Sequence, residues 1–185
     1  MKKKKLLGIS LGIITVIIVI SLSLVGNYFY NLALNPNTPK DIVFGTPEEA
    51  EATSGQVLDS DISWLLNDSN YTDEYITSSD NLKLHSYQIK NQNSSDKWVI
   101  TVHGYTSEGI NMSTYAKQYY DNGYNVLIPD LRAHGDSQGE KVGWGYEDQF
   151  DIQAWVNFLA QKLPGRQFVL FGVSMGASSC CYLAD

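Results

Sequence analysis

Three short runs, "KWVITVHG", "NVLIPD" and "RQFVLFGVS", constrain the fold of this chain more than any other feature. Each is apolar, rich in β-branched residues and too short to be a helix. Each reads as a strand buried on both faces. Between the first two, Met112, Tyr115, Ala116 and Tyr119 fall at i, i+3, i+4 and i+7, which predicts a helix ending near Gly123. Between the last two, Ile152, Trp155, Val156 and Leu159 repeat that spacing, with Glu147 and Asp148 in the first turn, where negative charge suits the helix dipole. Upstream, "YTDEYITSSDNLKLHSYQIK" predicts strands over Glu74–Thr77 and Lys83–Ile89 joined by a turn at Ser79-Asp80-Asn81. Downstream, "MGASSCCYLAD" begins a small-residue helix. A hairpin followed by strand–helix–strand–helix–strand–helix predicts an α/β fold, a parallel sheet with helices on both faces. In such sheets functional groups gather at the carboxyl ends of the strands, where His103, Asp130 and Ser174 fall.

The N-terminus follows a different rule. Lys2–Lys5 precede an apolar run from Leu6 to Val25, about the ~20 residues a membrane-spanning helix needs. A secretory signal has a shorter apolar core, and Ser21-Leu22-Ser23 is a weak cleavage site. Tyr28, Phe29 and Tyr30 read as an interfacial aromatic belt. The expectation is a basic cytoplasmic segment at 1–5, a transmembrane helix at 6–26, a spacer at 27–70 and a folded region at 71–185. The lysines stay inside, so this is a single-pass protein of the cell membrane with its folded region extracellular. The alternative is a secreted chain. A short helix near Glu48–Ala52 is expected inside the spacer.

Charge excludes one class of partner. The net charge is −7, and setting Lys2–Lys5 aside leaves nine basic residues against 20 acidic ones. Such a surface is repelled by phosphate backbones, so nucleic acid is not an expected partner. Cys180 and Cys181 are adjacent, which does not suit a disulfide, and they read as small residues packed on a helix.

Gly172-Val173-Ser174-Met175-Gly176 is a Gly-x-Ser-x-Gly pattern placed directly after "FVLF" and before a run that can be helical. A sharp strand-to-helix turn needs glycines beside the serine, and the helix start beneath it supplies free N–H groups. The competing reading is a glycine-rich packing turn. In "VITVHGYTSEG", the N–H of Tyr105 and that of Met175 could together hold an oxyanion. His103 reads either as a base or as a brace for its loop. In "PDLRAHGDSQG", Arg132, His134, Asp136 and Ser137 read as a hydrogen-bonded brace, a metal site or a triad acid and base; one histidine with scattered aspartates is a poor metal set.

"HGYTSEG", "PDLRAHGDS" and "GVSMGA" together resemble, in order and spacing, the α/β-hydrolase superfamily. Within it the chain is similar to membrane-anchored bacterial hydrolases of the serine aminopeptidase and monoacylglycerol lipase-like type. The resemblance covers Tyr71 to Asp185. It implies an α/β-hydrolase fold with Ser174 as nucleophile, the N–H groups of Tyr105 and Met175 as oxyanion hole, and His103 and the Arg132–Ser137 loop as structural. The substrate class it implies is a small ester or peptide, with no metal or organic cofactor. In this fold the acid and then the histidine follow the serine along the chain. Here no histidine follows Ser174; His85, His103 and His134 all precede it. The expectation is therefore a hydrolase fold truncated after the nucleophile-elbow helix, with the triad Asp and His not in the chain and Phe168–Phe171 at an open sheet edge. An anchored remnant or binding module without catalysis is the alternative.

Overall fold

The computed structural model describes residues 2–40 and 57–183, with side chains from residue 8 onward. The helix expected near Glu48–Ala52 lies outside the described residues. The first helix, α1 (Lys2–Leu34), runs well past residue 26 and ends inside the stretch expected to be spacer. Its segment Gly8–Leu34 is long and apolar enough to cross a membrane, and its most apolar 18 residues have a mean hydropathy of 2.6. From Gly8 to Tyr30 every residue is exposed. A helix apolar on all sides has no soluble face to present.

Residues 57–70 also carry structure. Helix α2 (Asp59–Ser63) passes directly into a π-helical turn over Trp64–Asp68, and Leu65 is fully buried. The folded unit is then built on five strands: β1 (Thr72–Thr77), β2 (Lys83–Ile89), β3 (Trp98–Val102), β4 (Asn125–Pro129) and β5 (Phe168–Gly172). Helix α3 (Ser113–Asp121), entered through a 3-10 turn at Gly109–Met112, links β3 to β4. Helix α4 (Asp148–Lys162) links β4 to β5, and α5 (Met175–Cys181) follows β5.

The strand order is β1-β2-β4-β3-β5. The hairpin is antiparallel, β2 joins β4 antiparallel, and β3 lies parallel to both β4 and β5. The three compact apolar runs are thus the parallel strands of a mixed sheet. Every residue of β3 and β4 is buried, as their unbroken apolar composition requires. Their side chains divide with period two. Trp98, Ile100, Val102 and Leu127 pack with Ile152, Trp155 and Leu159 of α4 and Met175 of α5. Val99, Val126 and Ile128 pack on the opposite face with Met112, Ala116 and Leu65. The helices therefore cover both faces. Among the described residues β5 is an edge strand, and Val169 on it is exposed.

The chain turns at Gly123, with φ 82°, immediately after α3. Its N–H donates to the Tyr120 carbonyl at 2.9 Å. A residue in the left-handed region closes this helix, as glycine does without strain.

Candidate active site

Between β5 and α5 the backbone reverses at Ser174, with φ 50° and ψ −115°. A side-chain-bearing residue rarely occupies such a region. The glycines on either side permit it. A Cβ on Gly172 would lie 2.5 Å from the amide nitrogen of Ala177, and one on Gly176 would lie 2.5 Å from the carbonyl oxygen of Val102. The strand, the turn and the helix approach too closely for any side chain at those positions. Ser174 itself is exposed at the tip of the turn, above the carboxyl ends of the parallel strands.

The loop after β3 comes to the same place. A Cβ on Gly104 would lie 3.3 Å from the Cβ of Ser174 and 3.2 Å from the carbonyl oxygen of Val173. Tyr105 follows directly, so its backbone stands beside the serine turn. Met175 begins α5 and is buried.

Asp130 at the end of β4 fixes that loop. One carboxylate oxygen accepts the N–H of Gly109 at 2.7 Å. The other accepts the N–H of Asp136 at 3.1 Å and faces His85 Nδ1 at 2.7 Å. Burial opposes the charge on Asp130, but these hydrogen bonds outweigh it and hold its pKa below the ordinary carboxylate value. Gly135 turns against the same carboxylate, at φ 49° and with no room for a side chain. Ser137 donates to the Asp130 carbonyl at 2.7 Å and accepts the His85 N–H at 2.8 Å.

Both ring nitrogens of His103 are engaged. Nδ1 lies 2.8 Å from the Gly104 carbonyl, and Nε2 accepts the Leu131 N–H at 3.0 Å. A nitrogen beside a carbonyl must carry the proton and one receiving an N–H must lack it, so this ring is neutral with the proton on Nδ1. Complete burial, with His134 stacked edge-on at 4.9 Å, pushes its pKa down to about 4. The side chain ties β3 to the loop after β4. His134 Nδ1 lies 2.9 Å from the Arg132 carbonyl, and burial lowers its pKa also.

Arg132 is a second fastener. Its Nε and Nη2 donate to the two oxygens of Asp151 at 2.7 and 2.8 Å. Nη1 and Nη2 reach Asp80 in the β1–β2 turn at 3.0 and 3.2 Å. The loop after β4 is thereby bound to α4 and to the hairpin. Asp136 contributes its backbone and Ser137 its hydroxyl. Among the described residues no three of His, Cys, Asp and Glu come together at metal-binding spacing. Cys180 is buried, with its pKa pushed up to about 11 by burial, and Cys181 is exposed.

One residue beside the site escaped the sequence reading. Trp144 stacks on Tyr105 with ring centroids 5.0 Å apart, and its φ is 53°. Asp148 holds this turn. Its Oδ2 accepts the Gly145 N–H at 2.6 Å, and burial pushes its pKa up to about 6. The signal in the sequence was "GWG", a bulky residue between two glycines. An open cavity of about 410 Å³ adjoins Tyr105, lined also by Lys40, Glu108, Asn111 and His134 among others.

Residues 93–184 match the family model described as serine aminopeptidase, S33. An esterase of Pyrococcus furiosus is similar in structure, with a TM-score of 0.58 and 35% identity; the likeness covers 71% of this chain and 51% of that one. The chain has an α/β-hydrolase fold and is related to that superfamily. A second α/β-hydrolase, from Novosphingobium aromaticivorans, superposes with a TM-score of 0.51 and 30% identity over 63% of this chain and 40% of its own. An uncharacterized protein of Bacillus subtilis is 36% identical over 80 residues, 43% of this chain and 26% of that protein. This α/β-hydrolase chain thus spans about half the length of the esterase and about a quarter of the Bacillus protein.

Proposed function

We propose that this chain carries the nucleophile and oxyanion-hole part of a serine hydrolase acting on small esters or peptides. The observation that carries the reading is the backbone of Ser174, held at φ 50° and ψ −115° between two glycines that admit no side chain. Strain of this kind persists where the surroundings over-determine it, and it exposes the hydroxyl at the tip of the turn. Ser174 Oγ attacks the carbonyl carbon and gives its proton to a base. The N–H groups of Tyr105 and Met175 stabilise the oxyanion. The protonated base returns its proton to the leaving group as the tetrahedral intermediate collapses, releasing an alcohol or amine and leaving the acyl group on Ser174. Water then hydrolyses the acyl-enzyme.

Among the described residues no histidine stands free at both ring nitrogens to serve as the base. His85 and His103 are held at both ring nitrogens, and His134 is held at Nδ1. The same engagement favours a second reading, in which the 185-residue chain is an anchored module without turnover. The test is p-nitrophenyl ester hydrolysis by this chain and by any longer product of the same reading frame, each compared with its Ser174→Ala form. Serine-dependent turnover in a longer product supports the hydrolase. Turnover that survives Ser174→Ala would refute it.

We further propose that α1 is a membrane anchor with Lys2–Lys5 on the inner side. Its last turn is bonded to the folded region, since the Val142 N–H donates to the Leu34 carbonyl at 2.9 Å. External protease on intact cells should remove the folded region and leave the N-terminus protected. A freely secreted chain beginning near Asn27 would sink the anchor.

A further inference from the structure

The geometry points to a membrane-docking surface around Tyr105, Trp144, Tyr146 and Phe150, which places the neighbouring turn at Ser174 beside the headgroup layer of a neutral bilayer. The inference rests on the reading of α1 as a membrane span and adds where the catalytic face lies relative to that membrane.

The contact between helix and folded region is made at the candidate active site. The Tyr105 hydroxyl donates to the Ala33 carbonyl at 2.7 Å. The Lys40 ammonium donates to the Leu32 carbonyl and, at 2.8 Å, to that of Asn35. These bonds satisfy carbonyls that a helix end leaves open. The belt residues Tyr28, Phe29 and Tyr30 stand just before this turn. At 1.5 Å of rise per residue, Ala33 is about 4.5 Å along the axis from Tyr30. The end of the belt thus lies within one helical turn of the carbonyl that Tyr105 holds, so the site lies close to the level where aromatic rings settle.

The side chains around that contact suit the same layer. Trp144, stacked on Tyr105, is 52% exposed, and Tyr146 and Phe150 are 66% and 53% exposed. Tyr146 and Phe150 meet edge to face at 5.9 Å. Clustered exposed aromatics of this kind mark an interaction surface. Here the patch is continuous with the end of a candidate span, which selects a bilayer as its occupant. Of the charged residues near it, Lys40 is held by the carbonyls at the end of α1, and Lys141 and Glu147 pair at 3.0 Å. With 20 acidic residues in the chain and few cations outside Lys2–Lys5, the headgroups it fits are zwitterionic.

Tryptophan emission tests this on the 185-residue chain reconstituted into phosphatidylcholine vesicles. Trp98 and Trp155 are buried and Trp64 is half-buried, so Trp144 is the most exposed of the four tryptophans. The expected result is quenching by lipids brominated near the headgroup, weak quenching by aqueous acrylamide, and loss of the lipid effect in Trp144→Phe. As a second probe, Phe150→Trp should add a lipid-quenched emitter. Vesicle flotation and resistance to carbonate extraction report on the anchor separately. A chain that floats while Trp144 and the new tryptophan answer only to acrylamide overturns the docking surface and leaves the anchor standing. A chain extracted by carbonate overturns both.

Discussion

A Cβ placed on Gly176 would stand 2.5 Å from the carbonyl oxygen of Val102. The first turn of α5 is pressed onto the end of β3, and this contact sets the height of Ser174 above the sheet. Neither partner is the flexible end of a side chain. Gly176→Ala should therefore destabilise the fold by about 1–3 kcal/mol, the usual cost of overpacking. Chemical denaturation of the two forms in the same detergent checks this. An unchanged midpoint would mean that the helix can lift without loss.

Ser174 predicts the opposite sign. Its backbone is strained, and strain of this kind is worth about 1–3 kcal/mol. Glycine relieves it but loses about 0.5–1 kcal/mol of stability through its freer unfolded chain. Ser174→Gly should therefore raise the denaturation midpoint, whereas Ser174→Ala leaves the strain in place and should not. A lower midpoint for Ser174→Gly would show that the turn is unstrained.

The buried strands were legible because their patterns are strong. "WVITV" and "NVLIP" have no polar face to offer water, and the structure buries them whole. The turn at Ser174 was legible as well, because glycines flanking a serine after a strand leave few geometries open. What stayed hidden depended on contacts distant in sequence. His85 lies in a strand whose alternation says nothing of its partners, and it is Asp73 and Asp130 that give it a role. The continuation of α1 to Leu34 and its bond to Val142 could not be read either, since "NLAL" carries no signal for docking.

Arg132 tests the bracing of the loop after β4. Asp151 is almost completely buried and meets the guanidinium through two bonds. Removing the cation leaves an uncompensated buried carboxylate, which typically costs about 3–5 kcal/mol. Arg132→Met should show a loss of that size, and Arg132→Lys should recover only part of it because an ammonium cannot fork. Adding Asp151→Asn to Arg132→Met should restore stability, and failure to do so would count against the pair.

His85 predicts a dependence on pH. Burial alone would lower its pKa, but hydrogen bonds to Asp130 and Asp73 prevail and raise it above the ordinary 6.5. A cationic ring can donate to both carboxylates, and a neutral one to only one. The stability it contributes is complete below pH 6.5 and is lost as pH rises through the raised value. The difference in melting temperature between the native chain and His85→Gln should shrink over that window. A difference that grows with rising pH would contradict the cationic ring.

Fluorophosphonate labelling with peptide mapping tests the central claim most directly. A serine hydroxyl is a weak nucleophile until a base lies within hydrogen-bond reach, and losing that base in a serine protease costs about 2 × 10⁶ in rate. Residues 1–185 alone should label at background. Added imidazole can act as the base, and it should then produce an adduct on Ser174 that is absent from Ser174→Ala. A stoichiometric adduct on Ser174 without imidazole would show that His103 or His134 serves as base, and an imidazole-dependent adduct on any other residue would remove Ser174 as the nucleophile.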